Sequence, residues 1–380
     1  MGATYPLSPP RWRSDAGNAL LITPLPGIRR RQIDSSDHTL WRYAAALPVR
    51  VREPISLGEG RTPLVSRLWR KQPVLLKLEW FSPTGSFKDR GASVMLSVLR
   101  EQGVSEVIED SSGNGGAAIA AYAAAGRMRS KILVPASTPL EKTIQMRAYG
   151  AHVELVPGSR QDTAEEAVRQ SVSIFYAGHN WQAHFLQGTK TLAYELWEDL
   201  HFRAPDNVIV PLGAGSNVLG CAIGFGELAR AGAIERVPRI FGVQPANCAP
   251  IHASFVHGSG AQSEVEVRPT VAEGAAIARP LRLPEIVQVI RSSGGATIAA
   301  SEEQISAAAL ELAATGIYVE PTAAMSAAGM TLLLKNGRIR SRDRTVLVLT
   351  GSGLKATQRM SELIASAQAC RPGSMRSVST

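Results

Sequence analysis

Cysteine is scarce in this chain, and long apolar runs are missing altogether. Only three cysteines occur in 380 residues, Cys221, Cys248 and Cys370, and none forms a C-x-x-C pair. This spacing excludes a disulfide framework and fits a reducing cytoplasm. No apolar run approaches the roughly 20 residues that cross a bilayer, and the N-terminus lacks a signal-peptide core. The sequence therefore predicts a soluble, cytoplasmic protein without a membrane partner.

The chain is basic, but it lacks the patterns of a nucleic-acid-binding protein. Its formal net charge is +9, and the basic residues are scattered apart from short arginine clusters at 29–31 and 338–344. Aromatic residues do not interleave with them, and no helix-turn-helix pattern is present. We therefore expect no nucleic-acid partner, and a basic surface around anionic small molecules.

Short apolar or β-branched runs alternate with alanine-rich helical patterns. The pattern predicts strands over residues 74–78, 106–108, 132–134, 152–156, 207–210, 240–243 and 345–349. It predicts helices over residues 115–125, 140–148, 188–200, 216–231 and 302–315. Such alternation is typical of α/β proteins with parallel sheets, and the length suggests two domains or a divided one. Ligands of these folds bind in the loops beyond the carboxyl ends of the strands.

One lysine stands out in the sequence. Lys88 follows a Pro-Thr-Gly-Ser turn at 83–86 and begins a helical pattern, with Phe81 and Phe87 beside it. Burial disfavours the charged form of a lysine, and neutral lysine is the nucleophile that condenses with aldehydes such as that of pyridoxal phosphate (PLP). The alternative is an ordinary helix-start lysine that reaches into solvent, and this stretch alone does not decide between the two.

Two glycine-rich loops lie between a predicted strand and a predicted helix. The first, residues 110–116, offers clustered N–H groups for a carboxylate or phosphate, and Asn114 adds a side-chain donor. The second, residues 211–217, offers N–H groups for a phosphate. No acidic residue ends the next strand at 241–244, so this loop fits one phosphate better than a dinucleotide. Each loop alone is also explained by an ordinary glycine-rich turn.

A third loop, residues 349–355, follows the last predicted strand and contains Thr350. A hydroxyl there can bond the pyridine nitrogen of PLP and leave it largely unprotonated, which suits eliminations and replacements better than transamination. Together, Lys88 and the three loops offer a Schiff-base amine, an anion cradle, a carboxylate site and a ring-nitrogen partner. PLP with an amino acid needs all four.

These residues occur in motifs that resemble the threonine synthase-like branch of the fold-type II (tryptophan synthase beta-like) PLP-dependent enzymes. The motifs follow in family order: 57–64 (LGEGRTPL), 83–91 (PTGSFKDRG), 112–114 (SGN), 187–191 (QGTKT), 213–217 (GAGSN), 320–324 (EPTAA) and 350–355 (TGSGLK).

The resemblance implies a role for each site residue. Lys88 would form the internal aldimine with PLP and shuttle protons. Asn114 would meet the 3′-oxygen of the cofactor and Thr350 its pyridine nitrogen. The phosphate would be held by Gly213, Ala214, Gly215, Ser216 and Asn217. The substrate carboxylate would be received by Ser111, Ser112 and Gly113.

The resemblance also implies an architecture. We expect an α/β fold of two domains, each an open, mainly parallel sheet flanked by helices, with the active site in the cleft between them. The large PLP-binding domain would comprise residues 41–91 and 181–365, and a small mobile domain residues 92–180. An N-terminal arm over residues 1–40 and a flexible tail over residues 366–380 complete the prediction, and relatives suggest a homodimer.

The departures from the family pattern concern the substrate and a metal. Threonine synthases usually have Thr and Ser hydroxyls after the Gly-Asn pair, and here Gly115 and Gly116 stand there. They usually have an arginine where this chain has Phe185, which offers no donor to a substrate phosphate. The arm resembles a zinc-ribbon start with Ser14 and Ala16 in place of cysteines, so we expect no metal there.

We therefore predict a PLP-dependent carbon–oxygen lyase of amino-acid metabolism. It would catalyse β- or γ-elimination or replacement on a small L-amino acid, through an external aldimine. The substrate would be a hydroxyamino acid or an activated O-substituted derivative. Two alternatives stay open: a true threonine synthase acting on O-phospho-L-homoserine, and a non-catalytic PLP-binding protein.

Overall fold

The computed structural model describes residues 3–258 and 265–369 and shows two separate β-sheets with helices packed on them. The strands are β1 (Leu64–Trp69), β2 (Gln72–Leu78), β3 (Glu106–Glu109), β4 (Arg129–Pro135), β5 (His152–Val156), β6 (Phe175–Tyr176), β7 (Asn207–Pro211), β8 (Arg239–Pro245), β9 (Ala296–Ala300) and β10 (Thr345–Leu349). The helices are α1 (Lys88–Glu101), α2 (Asn114–Ala125), α3 (Leu140–Ala148), α4 (Arg160–Gln170), α5 (Ala183–Thr189), α6 (Thr191–Asp199), α7 (Ser216–Arg230), α8 (Pro250–His257), α9 (Leu283–Ser292), α10 (Glu302–Ala314), α11 (Pro321–Lys335) and α12 (Thr357–Ala369).

The larger sheet has six strands in the order β1-β2-β10-β7-β8-β9. β1 pairs antiparallel to β2, and the other neighbours pair parallel. Every residue of β7 and β10 is buried, because helices cover both faces of the sheet. Continuous apolar runs are typical of such doubly covered parallel strands.

The smaller sheet has four parallel strands in the order β5-β4-β3-β6, all within residues 106–176. Its core is built on the alanine-rich helix α2 and on α1, which packs beside it. The prediction of a two-domain α/β fold with mainly parallel sheets is therefore confirmed.

A buried ion cluster joins α1 to the larger sheet. The Arg90 guanidinium contacts Glu79 at 2.7 Å and Glu195 at 2.9 Å, and all three side chains are almost completely buried. Lys77 of β2 contacts Glu195 at 2.6 Å. Because Arg90 lies two residues after Lys88, this cluster holds the first turn of α1 in place.

α1 and α5 approach each other very closely, which requires a glycine. A Cβ atom on Gly188 of α5 would lie 2.0 Å from the carbonyl oxygen of Arg90, so only glycine fits at this crossing. The backbone of the Lys88 turn is thus packed directly against α5.

Two predicted segment boundaries differ from the structure. The helix expected over 188–200 is two helices, α5 and α6, that meet at Lys190. α12 continues to Ala369, into the segment predicted as a flexible tail over residues 366–380, because Met360 and Leu363 are buried and anchor the helix. Residues 370–380 and Cys370 lie outside the described residues. Among the described helices, none is both long and apolar enough to traverse a lipid bilayer.

Candidate active site

Lys88 is the first residue of α1, and the turn before it is clamped to the loop after β10. The Phe87 N–H donates to the carbonyl oxygen of Thr350 at 3.0 Å, and the Ser352 N–H donates to that of Gly85 at 3.1 Å. The Asp89 carboxylate accepts bonds from the N–H and hydroxyl of Thr84, which closes the turn. The predicted lysine turn and the predicted third loop therefore lie side by side.

The Lys88 side chain is half-buried beside aromatic rings. Its Nζ lies 4.8 Å from the centroid of the Phe87 ring and 5.7 Å from that of Phe185. Desolvation lowers the pKa of Lys88 to about 8, although the carboxylates of Glu109 and Glu320 favour its charged form. A sizeable neutral fraction at mildly alkaline pH makes this amine a nucleophile.

The loop of residues 213–217 forms a cradle at the start of α7. Gly215 has φ +87°, and a Cβ atom on it would lie 2.2 Å from Cδ1 of Ile286. Both polar atoms of the Asn217 side chain are buried, and neither finds a hydrogen-bond partner within the described residues. Buried polar groups normally have partners, so a ligand that accepts or donates there is expected. The helix N-terminus favours an anion.

The loops after β7 and β10 meet because these strands are neighbours in the larger sheet. Ile209 of β7 lies opposite Leu347 of β10, so Gly213 and Thr350 follow at the same edge. Thr350 is 3% exposed. This edge holds the residues predicted to contact the phosphate and the pyridine nitrogen of PLP.

Asn114 begins α2, and its side chain reaches Glu320, the residue before α11. Its Nδ2 donates to the Glu320 carboxylate at 3.1 and 3.3 Å. Glu320 is buried against the loop after β10, because a Cβ atom on Gly351 would lie 2.3 Å from its Oε1. Burial raises the pKa of Glu320, while Asn114 and the positive charges of Lys355 and Lys88 oppose that shift. Glu320 was not among the predicted site residues, although the EPTAA motif at 320–324 contains it.

Ser111, Ser112 and Gly113 lie on the other side of Asn114, directly before α2. Ser111 and Ser112 are half-buried and Gly113 is exposed, and the Gly113 N–H points to the Ser111 hydroxyl at 3.4 Å. The loop thus presents small polar groups at a helix start, which suits a carboxylate.

A buried Glu109–His179 pair lies under this loop. Nδ1 of His179 is 2.9 Å from Oε1 of Glu109, and the His179 backbone N–H donates to Oε2 at 3.0 Å. Neither Glu109 nor His179 was among the predicted site residues. The signal available was a carboxylate at the carboxyl end of the strand at 106–108.

Phe185, named above as a departure from the family pattern, packs beside Gly91 and His179. Its ring is fully buried, 5.4 Å from the His179 ring, and a Cβ atom on Gly91 would lie 2.5 Å from it. The wall of the site between Lys88 and His179 is therefore apolar.

The residues present fit PLP. A glycine-rich cradle with an unpartnered Asn217, an amine with a lowered pKa, and a threonine directly after β10 are the groups that the phosphate, the aldehyde and the ring nitrogen need. The described residues contain no cluster of three or more His, Cys, Asp or Glu side chains suited to a metal ion.

Comparison with known proteins identifies the family of this chain. The family model described as pyridoxal-phosphate dependent enzyme matches residues 55–351. The chain is 36% identical over 338 residues to the threonine synthase of Methanocaldococcus jannaschii, covering 86% of this chain and 82% of the relative. It is 35% identical over 329 residues to that of Methanosarcina acetivorans, covering 84% and 81%.

A solved structure of similar fold is the processed form of threonine deaminase isoform 2 from Solanum lycopersicum. Its TM-score is 0.68 at 24% identity, over 91% of this chain and 97% of that one. The chain therefore belongs to the threonine synthase-like branch of the fold-type II enzymes, whose cofactor is pyridoxal phosphate.

Proposed function

We propose that this PLP-dependent carbon–oxygen lyase catalyses β- or γ-elimination, or replacement, on a small L-amino acid. The observation that carries the proposal is the Lys88 amine, whose pKa is lowered to about 8 and which lies among the loops that would hold cofactor and substrate. The matches to threonine synthases support the same class of reaction.

The residues that would hold the cofactor come from three loops. Gly213, Ala214, Gly215, Ser216 and Asn217 would hold its phosphate, with the unpartnered Asn217 amide as one donor. Asn114 would face the 3′-oxygen, and the Lys88 amine would carry the aldehyde carbon. When bound, PLP withdraws electrons from the α-carbon of the amino acid and so makes its α-proton acidic.

The chain's own residues would move the proton and orient the substrate. The Lys88 amine would be the base that takes the α-proton of the substrate. Ser111, Ser112 and Gly113 would hold the substrate carboxylate with N–H and hydroxyl groups. Thr350 at the ring nitrogen would favour elimination and replacement over transamination, because a neutral hydroxyl does not stabilise a protonated nitrogen as a carboxylate does.

The apolar side chain of Phe185 favours a substrate whose leaving group carries little charge. Phe185 offers no hydrogen-bond donor at the position where a phosphate-binding arginine is usual. Removing the charged partner of a buried phosphate costs about 2–5 kcal/mol, which is about 30- to 4,000-fold in affinity. We therefore favour a hydroxyamino acid or an O-acyl derivative over O-phospho-L-homoserine.

A true threonine synthase is the second candidate. The 36% identity to the threonine synthase of Methanocaldococcus jannaschii over 86% of this chain supports it. Release of inorganic phosphate from O-phospho-L-homoserine, with formation of L-threonine, would establish this activity. A non-catalytic PLP-binding protein is the third alternative.

The test is a substrate panel given to the purified, PLP-loaded protein. The panel comprises L-serine, L-threonine, their O-acetyl and O-phospho forms, and O-phospho-L-homoserine. We expect the protein to release keto acid and ammonia from a hydroxyamino acid. We expect the Lys88→Ala variant to lose this turnover. No turnover of any compound would contradict the lyase proposal, and unchanged biological activity of Lys88→Ala would leave only a non-catalytic role.

We also propose the finer points of organisation. Residues 41–91 and 181–365 would form the large domain, and residues 92–180 a small domain that closes over the substrate. A cytoplasmic location is supported by Cys221 and Cys248, which are free and buried. A homodimer is supported by the exposed apolar side chains of Phe81 and Leu354, which line one surface cavity. Light scattering after size-exclusion chromatography would test the dimer, and a monomer would contradict it.

A further inference from the structure

Glu109 and His179 come together because they follow neighbouring strands. Glu109 ends β3, and His179 lies three residues beyond β6, which pairs parallel to β3. The carboxyl ends of parallel strands lie at one edge of a sheet, so both side chains reach the edge that carries residues 111–113. The pair is buried, with Glu109 0% and His179 6% exposed.

The imidazole of His179 is fixed on three sides. On the first side, the Glu109 carboxyl group accepts a hydrogen bond from the backbone N–H of His179 and forms a second one with its Nδ1. A Cβ atom on Gly115 would lie 2.6 Å from Cε1 of the ring and 2.9 Å from the Ser111 hydroxyl, so only glycine at 115 leaves room for the imidazole beside that serine. The Phe185 ring closes the third side at 5.4 Å.

The His179 ring and the Lys88 amine pack against the same aromatic ring. The Lys88 Nζ and the His179 ring lie 5.7 and 5.4 Å from the centroid of the same Phe185 ring. Since Glu109 occupies Nδ1, Nε2 is the nitrogen left for a ligand, and it makes no hydrogen bond to any described residue. The imidazole therefore lies beside the same aromatic ring as Lys88, and next to Ser111 of the proposed carboxylate loop.

Over the neutral range Glu109 keeps its proton and the imidazole of His179 is uncharged. Burial raises the pKa of Glu109 to about 8 and lowers that of His179 well below its usual value. When Glu109 is protonated toward Nδ1, the proton of the imidazole is on Nε2, which is then a donor. The other groups that act on the pair are Lys88, Asp110 and Arg160, and Arg160 neutralises Asp110 at 2.6 Å.

We propose that His179 is a catalytic acid that protonates the leaving oxygen of a hydroxyamino-acid substrate, with Glu109 as its positioning residue. The inference rests on the proposed elimination. Lys88 takes the α-proton, the Cβ–O bond breaks with its electron pair on oxygen, and Nε2 gives that oxygen a proton, so that water leaves. The pair then carries one negative charge, and a proton from solvent restores it.

The test compares two leaving groups. Hydroxide leaves L-serine only with a proton, whereas chloride leaves β-chloro-L-alanine without one. General acid catalysis contributes typically ~10²–10⁴-fold. In His179→Gln we expect kcat for L-serine to fall by about that factor and kcat for β-chloro-L-alanine to fall by less than about tenfold. The matched control is His252→Gln, because His252 lies in the large domain, bonded to Thr297 at 2.9 Å.

A binding measurement separates a catalytic from a merely structural role. L-Alanine has no leaving group, so its affinity, read from the shift of the visible absorption band, should be unchanged in His179→Gln. In Glu109→Gln, the alkaline limb of the L-serine kcat profile near pH 8 should disappear, because that limb reports the proton of the pair.

Several results would overturn the inference. Equal losses for L-serine and β-chloro-L-alanine, or no loss for either, would show that His179 does not protonate the leaving group. If the wild-type protein turns over O-acetyl-L-serine but not L-serine, the proposed role of His179 is also refuted, whereas the proposed lyase activity is not. Absence of a band shift with every amino acid would instead refute the proposed function, and this role with it.

Discussion

Replacing Arg90 with methionine should destabilise the protein strongly. The side chain is fully buried and bonds Glu79 through Nε at 2.7 Å and Glu195 through Nη2 at 2.9 Å. Glu195 keeps Lys77 and two backbone N–H donors in the variant, whereas among the described residues Glu79 keeps only the Thr62 hydroxyl, at 2.6 Å. Most of the lost folding free energy therefore comes from the buried Glu79 carboxylate, which is left without a positively charged partner.

Breaking a buried pair in this way costs about 3–5 kcal/mol. With a urea dependence of about 3 kcal/mol per molar, the unfolding midpoint of Arg90→Met should fall by about 1–1.7 M. Far-UV circular dichroism of the PLP-free protein in urea measures this shift.

The double variant Arg90→Met/Glu79→Gln is the control for the cause. It removes the buried charge that the single variant leaves behind, so its loss should be smaller than the sum of the two single losses by about 0.5–3 kcal/mol. A loss below about 1 kcal/mol in Arg90→Met, or strict additivity in the double variant, would refute this account of the cluster.

Three further predictions concern the site itself. Asn217→Ala should weaken PLP binding, measured by fluorescence titration, without lowering the thermal stability of the PLP-free protein, since this side chain has no described partner to lose; a matching loss of stability would contradict the assignment. The rate of PLP uptake, followed by visible absorbance, should rise about tenfold per pH unit up to about pH 8 and then level off, because only neutral Lys88 attacks the aldehyde; a rate independent of pH would contradict it. Gly115→Ala should displace the His179 ring and lower kcat for L-serine much more than for β-chloro-L-alanine, as measured by keto-acid release; equal effects on both substrates would contradict it.

Most buried strands were predictable because they are continuous apolar runs. The strand predicted over residues 345–349 is β10, and that over 207–210 lies in β7, both buried along their whole length. Continuous apolar sequence and full burial have the same cause, which is a parallel sheet covered on both faces.

Other elements gave no such signal. β6 is only two residues long, and β9 (Ala296–Ala300) is made largely of alanine, which does not favour strands. β1 is an edge strand with three exposed residues, so its sequence does not show the buried pattern.

The site residues that the sequence revealed lie in short motifs, and those it missed depend on long-range pairing. Lys88 and residues 213–217 are recognisable because turn, glycines and helix start are contiguous. His179 and Glu109 are 70 residues apart and meet only because β6 pairs with β3. Without β6 in the prediction, no reasoning from sequence could place His179 beside Glu109.

The most direct test of the whole account is borohydride reduction of the PLP-loaded protein, followed by peptide mass mapping. We expect a pyridoxyl phosphate adduct on the ε-nitrogen of Lys88, and no such adduct in Lys88→Ala. A colourless preparation that stays unmodified after incubation with PLP, or an adduct only on other lysines, would contradict it.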